Sequence, residues 1–339
     1  MSEPVVVYIR SLAYSGTTWV NLVLGTHPET FALGVPDRIW TAGAAQAASL
    51  CAIHGAECEF WPRYFSRWRD ARTAMSLLAE VAGARVILLN NINMNLLNEH
   101  VAGDDVDLRY MVVVRDGRAN VTSALRHTPD LFEGRYHAMR TWLKPAWEHL
   151  FHGLPDDPSR TLVLKYEDMV CASETAITRV GAFLGIDYTL QAFRFWEHEH
   201  HYIGGNTGTL GLLRDMRGLP RSQHAREAYY RDLAKSARAT PEAPVLDESW
   251  REYLTREDLV AYDYLCGELH EKMGYERDVI DPAERRAFLA RHDLPEDPAA
   301  APETIAGDAP PETGGGAAAA GGQAPERPSL LARLKALLG

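Results

Sequence analysis

Residues 4–19 read Pro-Val-Val-Val-Tyr-Ile-Arg-Ser-Leu-Ala-Tyr-Ser-Gly-Thr-Thr-Trp. The β-branched run Pro4 to Arg10 favours a buried strand. A small polar loop follows, and then a helical stretch over Thr17 to Gly25. Strand, small-residue loop and helix start together form an anion site. The first backbone N–H groups of a helix have no intrahelical acceptor, and the helix dipole places partial positive charge at the same end. Ser15, Thr17 and Thr18 add hydroxyl groups, and Gly16 lets the backbone approach a ligand closely. The plainer reading is a Ser-Gly turn that caps a helix, and composition alone leaves the two open. The stretch has one glycine and no Gly-Lys pair, which separates it from the nucleoside-triphosphate loop and counts against a kinase.

Working outward, Arg85 to Asn90 (RVILLN), Leu108 to Arg115 (LRYMVVVR) and Thr161 to Lys165 (TLVLK) are further strands of the buried type. Helical stretches follow the last two, around Ala119 to Arg126 and over Ser173 to Leu184. Apolar strands alternating with helices predict an α/β fold, a P-loop-like parallel sheet flanked by helices. Such sheets bind ligands at the carboxyl ends of their strands, so the loops after Arg10, Asn90, Arg115 and Lys165 carry the interest. Arg115 ends a strand and Ser123 lies eight residues on. A guanidinium fork and a hydroxyl converging on one group suit a phosphate monoester. The alternative is an arginine covering a strand end and a serine facing solvent.

The 339 residues allow one large or two modest domains. With 46 acidic against 35 basic residues the net charge is −11. That balance disfavours non-specific nucleic-acid binding but leaves room for a local basic pocket. No run of about 18 apolar residues occurs, so no transmembrane helix is expected. The N-terminus lacks a secretory pattern and four cysteines make no disulfide scaffold, which together predict a cytoplasmic protein. Residues 1–290 read as one folded domain. Residues 295–328, rich in Ala, Gly and Pro, read as a disordered linker. In 329–339, Leu330, Leu331, Leu334, Leu337 and Leu338 share one helical face. This short amphipathic helix is either a frayed tail or a docking element for a partner protein or membrane surface.

Cys51, His54 and Cys58 stand at near-ligand spacing, but a fourth ligand is missing nearby. His198, His200 and His201 are neighbours on one segment, where side chains point different ways. No metal is expected from either group, and Cys171 and Cys266 are expected to be buried.

The segment Tyr14-Ser-Gly-Thr-Thr-Trp-Val-Asn-Leu-Val-Leu24 resembles the 5′-phosphosulfate loop of sulfotransferases that use 3′-phosphoadenosine 5′-phosphosulfate, PAPS. The resemblance implies that Ser15, Gly16, Thr17 and Thr18 hold the 5′-phosphosulfate and that Trp19 stacks on the adenine. The Arg115-to-Ser123 spacing is similar to the family's 3′-phosphate motif. Leu164-Lys-Tyr-Glu-Asp-Met-Val170 resembles its Tyr-Glu-Asp segment, with Tyr166 bordering the adenine and Glu167 and Asp168 orienting the next helix. Residues 195–206 look like the His-rich, Gly-Asn segment of bacterial relatives. There Gly204, Gly205 and Asn206 would close over the nucleotide. Cys58-Glu-Phe-Trp61 resembles an insert that walls the acceptor pocket. The resemblance spans about residues 4 to 280.

Two positions depart from the family pattern. Tyr14 replaces a Lys or Arg that assists the leaving phosphate, and the nearest substitute cation is Arg10. Asn91 falls where cytosolic members carry a catalytic histidine after the second strand; asparagine hydrogen-bonds a sulfuryl oxygen but takes no proton. Other branches place a glutamate shortly after the first helix, and in the stretch Ala32 to Trp40 the one carboxylate is Asp37. Asp37 is therefore the candidate base, with His27 and Glu29 as further candidates. The implied reaction moves a sulfuryl group from PAPS to a hydroxyl or amine of a small-molecule, carbohydrate or lipid acceptor, with PAP as product. Trp40, Trp61, Tyr64, Phe65, Trp68 and Trp142 suit an aromatic-walled acceptor pocket. The alternatives are a catalytically silent relative that binds PAPS or PAP, and a P-loop kinase.

Overall fold

The computed structural model describes residues 3–35, 49–90, 101, 104–219 and 246–308. In chain order the main elements are β1 (Val5–Ser11), α1 (Thr17–Leu24), β2 (Thr30–Gly34), α2 (Phe60–Arg67), α3 (Ala74–Ala82), β3 (Val86–Asn90), β4 (Asp107–Val114), α4 (Gly117–His127), α5 (Lys144–Leu150), β5 (Thr161–Lys165), α6 (Tyr166–Cys171), α7 (Ser173–Leu184), α8 (Thr207–Met216), α9 (Arg256–Lys272) and α10 (Pro282–Arg291). Where the sequence suggests one domain over 1–290, the chain divides into two compact units. The first comprises Met1–Ser11, Ser15–Arg115 and Gly153–Leu246; the second comprises Leu12–Tyr14, Asp116–His152 and Asp247–Gly339. Among the described residues no helix is long and apolar enough to cross a membrane.

The first unit holds a five-stranded parallel sheet in the order β2-β3-β1-β4-β5. Val5 pairs with Val86 on one side and Asp107 on the other, which sets the register of the three central strands. Val6, Val7 and Ile9 are fully buried, as is all of β3, because helices cover both faces of a parallel sheet. This two-sided burial is why the strands read as continuous apolar runs rather than alternations. α1 buries every residue except Trp19, so its polar members Thr17, Thr18 and Asn21 lie inside.

Strand β2 is not foreseen in the sequence. Its five residues, Thr-Phe-Ala-Leu-Gly, are short and end in glycine, so they read as loop until β3 supplies a hydrogen-bonding partner. Its placement also corrects two candidate bases. The Glu29 carbonyl accepts from the Arg85 and Val86 N–H groups, and its carboxylate pairs with Arg85 at 2.8 Å. The His27 ring accepts from the Glu29 N–H and lies 5.4 Å from the Tyr188 ring. Both residues therefore sit where β2 and β3 begin, at the amino end of the sheet. A base acting at the carboxyl-end loops cannot be drawn from there.

The second unit is helical and packs around Trp147, Tyr262 and His270. His270 Nδ1 accepts from the Tyr262 hydroxyl at 2.8 Å, and Nε2 donates to the Glu276 carbonyl at 3.1 Å. Both nitrogens of the neutral ring are thus satisfied, and burial holds its pKa below the ordinary 6.5. An unfolded chain protonates this histidine near pH 6.5 while the folded chain resists. The contribution is therefore intact above that pH and shrinks as the pH falls through it. Urea unfolding midpoints should drop between about pH 7.5 and pH 5 more steeply in the wild type than in His270→Gln. Equal slopes would refute this role.

Packing continues past the point at which the sequence suggests a linker. Tyr264 donates to the Pro295 carbonyl, Arg140 to the carbonyls of Ala299 and Ala301, and the Asp308 carboxylate accepts from the N–H groups of Tyr136 and His137. Apolar Ala301 is buried, which a composition count over 295–328 averages away. The remainder of the predicted linker and the helix at 329–339 lie outside the described residues.

Candidate functional site at the carboxyl ends of the strands

The loop after β1 turns at Gly16, whose φ of 75° is left-handed, and Gly16 then caps α1. A Cβ at this position would lie 2.5 Å from the Tyr166 ring, so glycine is required for both conformation and space. Ser15 is buried beside it. The Thr17 hydroxyl donates to Ser11 Oγ at 2.5 Å, and Thr18 Oγ1 accepts from the Asn206 backbone N–H at 3.0 Å. Trp19 meets Tyr166 edge-on at 5.6 Å and Phe193 at 5.8 Å. The Arg115 guanidinium lies over the Tyr166 ring, 5.0 Å from its centroid, and is largely buried.

Tyr166 is thus the hub on which Gly16, Trp19 and Arg115 converge. These residues come from the loop and helix after β1 and from the positions directly after β4 and β5, three adjacent strands. A helix start with hydroxyls, a guanidinium fork and two aromatic faces is a chemistry suited to an anion that carries a ring. The Asn206 side chain serves locally: Oδ1 accepts from the Thr209 N–H at 2.9 Å and caps α8. Its backbone N–H reaches the loop at Thr18. Gly205, at φ 91°, allows this approach, since a Cβ there would lie 2.8 Å from the Tyr202 ring. Glu167 and Asp168 occupy the first turn of α6, where carboxylates favour the helix dipole.

A buried polar chain beneath the loop carried no sequence signal. Asn21 Nδ2 donates to Asn90 Oδ1 at 2.6 Å, and Asn90 Nδ2 donates to the Tyr202 hydroxyl at 2.7 Å. It joins α1, the end of β3 and the segment around residue 202. Burial pushes the Tyr202 hydroxyl well above the ordinary tyrosine range, against a smaller opposing hydrogen bond with Thr18, so it stays neutral. The three residues are spaced by tens of positions, and only the fold brings them together.

Ser15 to Trp19, Arg115, Tyr166 and Asn206 all belong to the first unit, whereas Tyr14 and Ser123 belong to the second. Ser123 is half-buried on α4. The Tyr14 ring stacks on His127 at 5.5 Å, and its hydroxyl lies 3.3 Å from Thr128 Oγ1. Asp116 caps α4 and pairs with Arg118 at 2.6 Å, and Arg118 also reaches Asp278 at 2.8 Å over the face of Trp250. Arg126 donates to Ser249 Oγ at 2.6 Å and covers Tyr253. Arg118 and Arg126 are therefore packing cross-links. Asp37, Asn91 and Trp40 lie outside the described residues.

The cysteines divide differently from expectation. Cys266 is buried, but Cys171 is exposed. Cys51, His54 and Cys58 do acquire a fourth member, His201, whose ligand atom lies within 4.8 Å of the other three. Its neighbour His200 turns away, with Nε2 donating to the Phe195 carbonyl at 2.8 Å, and burial lowers its pKa to about 4.

No family model matches the chain, and no curated protein matches it. Solved structures do. A sulfotransferase domain from the curacin biosynthetic pathway is 14% identical, with 81% of this chain and 99% of that one covered and a TM-score of 0.50. The sulfotransferase domain of the Synechococcus PCC 7002 olefin synthase is 17% identical over 69% and 94% of the two chains, with a TM-score of 0.44. Mouse sulfotransferase SULT7A1, complexed with PAP, is 14% identical over 86% and 89%, with a TM-score of 0.42. At such identities the likeness is one of fold: the five-stranded parallel sheet and its helices are arranged as in the curacin-pathway sulfotransferase domain.

Proposed function

We propose that the chain transfers a sulfuryl group from PAPS to a hydroxyl or amine of an acceptor and releases PAP. The observation that carries this reading is the convergence of Gly16, Trp19 and Arg115 on Tyr166 at the carboxyl ends of three adjacent strands. The sulfotransferase fold supports it. Backbone N–H groups at the start of α1, with Ser15, Thr17 and Thr18, hold the 5′-phosphosulfate. Trp19 and Tyr166 flank the adenine. Arg115 binds the 3′-phosphate, and the argument for Ser123 as its partner rests on their eight-residue spacing. Asn206 steadies Thr18 through its backbone.

In the reaction the acceptor oxygen or nitrogen attacks sulfur in line. The bond from sulfur to the bridging oxygen breaks, and that oxygen leaves with the phosphate of PAP. Catalysis is then positioning plus stabilisation of charge on the leaving oxygen by the helix N–H groups. Asp37 takes the acceptor proton, and Asn91 hydrogen-bonds the sulfuryl group. The sequence favours a second reading, that of a silent PAP-binding chain: in the resemblance to sulfotransferases the uncharged Tyr14 replaces a cation that assists the leaving phosphate.

PAP release from PAPS over a panel of phenols, alcohols and amines separates the two. Acceptor-dependent release is expected, with Asp37→Asn lowering the rate by about 10²- to 10⁴-fold and leaving PAP affinity unchanged. Tight PAP binding with no turnover on any acceptor would establish the silent reading instead.

A further inference from the structure

Two stretches far apart in sequence place two thiols and two imidazoles in one cluster. Cys51 Sγ lies 3.4 Å from His54 Nδ1, and Cys58 Sγ lies 3.4 Å from His201 Nδ1, 143 residues away. All four ligand atoms fall within 4.8 Å of one another. A tetrahedral zinc, with Zn–S of about 2.3 Å and Zn–N of about 2.0–2.1 Å, sets neighbouring donor atoms roughly 3.3–3.8 Å apart. The cluster therefore needs little movement to close on an ion.

Its surroundings are those of a metal site rather than of thiols that happen to be buried. His54 Nε2 lies 2.8 Å from a Glu199 carboxylate oxygen, which fixes the tautomer that leaves Nδ1 as a lone-pair donor toward the sulfurs. The other Glu199 oxygen is held by Arg217 at 2.5 Å. The His54 backbone N–H points at Cys51 Sγ at 3.4 Å, an arrangement that stabilises a thiolate. The His201 ring stacks on Phe60 at 4.7 Å, and its carbonyl accepts from Trp61 Nε1 at 3.0 Å. Both imidazoles are thus oriented by partners outside the cluster.

We infer that Cys51, His54, Cys58 and His201 form a structural zinc site. Two thiolates and two imidazoles in a compact cluster select zinc among the common divalent ions. Four protein ligands leave no open position, so the ion would act as a staple rather than as a Lewis acid. What it would staple is the 51–58 loop to the segment beyond residue 200. There the Ala52 N–H donates to the Tyr202 carbonyl at 2.8 Å, and Cys51 and Gly34 both bridge to Ile203. That segment carries Tyr202 and Asn206, the partners of Asn90 and Thr18. The site stands independently of the reaction proposed above.

The test is elemental analysis of the full chain, purified without a metal-binding tag, together with cobalt(II) titration of the reduced, chelator-treated protein. One zinc per chain is expected. Cobalt should give the sulfur-to-metal charge-transfer band and intense visible bands of a tetrahedral site. Cys58→Ser and His201→Ala should lose the zinc, Cys171→Ser should keep it, and chelation should lower the melting temperature of the wild type. A wild-type chain with no zinc and no tetrahedral cobalt spectrum would overturn the inference, whatever the variants do. Full zinc retention in Cys58→Ser would overturn it equally.

Discussion

Replacing Arg115 with alanine is expected to weaken PAP binding by about 10- to 150-fold, the equivalent of losing one charged hydrogen-bonding group worth roughly 1.5–3 kcal/mol. Arg115 follows β4 directly, is largely buried, and is held over the face of Tyr166, so its fork is positioned before any ligand arrives. Preorganisation of this kind makes the loss one of affinity rather than of ordering. Arg115→Lys should recover only part of it, because an ammonium keeps the charge but not the planar pair of donors. Calorimetric titration of PAP into the three proteins checks this, with melting temperatures to separate lost packing on Tyr166 from lost binding. Equal affinities in wild type and Arg115→Ala would remove Arg115 from the site.

Gly16→Ala should be the more damaging substitution for the fold and site together. The left-handed φ of 75° and the Tyr166 ring 2.5 Å from the new methyl group act at once. Strain and overpacking together should cost roughly 2–5 kcal/mol of stability. Because the ring must move, its contacts with Trp19 and Arg115 move too, and PAP binding should fall below detection. The two causes can be separated. In a Tyr166→Ala background the clash disappears, and Gly16→Ala should then cost only the backbone term, about 1–2 kcal/mol. Additive costs in the double variant would show that the ring contact is unimportant. Urea unfolding of the four proteins provides the comparison.

The sequence is legible where chemistry is local. The apolar runs at β1, β3 and the second half of β4 declare themselves because they are buried on both faces, edge strand β5 shows itself by its apolar run although only alternate residues are buried, and the Ser-Gly-Thr-Thr turn declares itself because a left-handed residue and a helix start need that composition. Tyr166 is singled out in the sequence by the Tyr-Glu-Asp segment, but its contacts with Gly16, Trp19 and Arg115 are visible only in space. Strand β2 escapes because five residues ending in glycine carry too little pattern to be told from a loop; its pairing with β3 makes it a strand. The Asn21–Asn90–Tyr202 chain escapes because buried amides have no spacing rule. His201 escapes as the fourth member of the Cys51, His54 and Cys58 cluster because the polypeptide separates it from Cys58 by 143 residues, and its histidine neighbours in sequence draw attention away. Residues 295–308 escape because a few contacts, the burial of Ala301 and the hydrogen bonds of Asp308, are hidden within a stretch of linker-like composition.

The most direct measurement is calorimetric titration of PAP into the full-length wild type at fixed salt, beside a parallel titration of ATP with magnesium. One PAP per chain should bind with an affinity in the micromolar range or tighter, unaffected by magnesium, and ATP should bind much more weakly. A well-folded wild type that binds no PAP, or that binds magnesium–ATP in preference to it, would rule out a PAPS site in this chain.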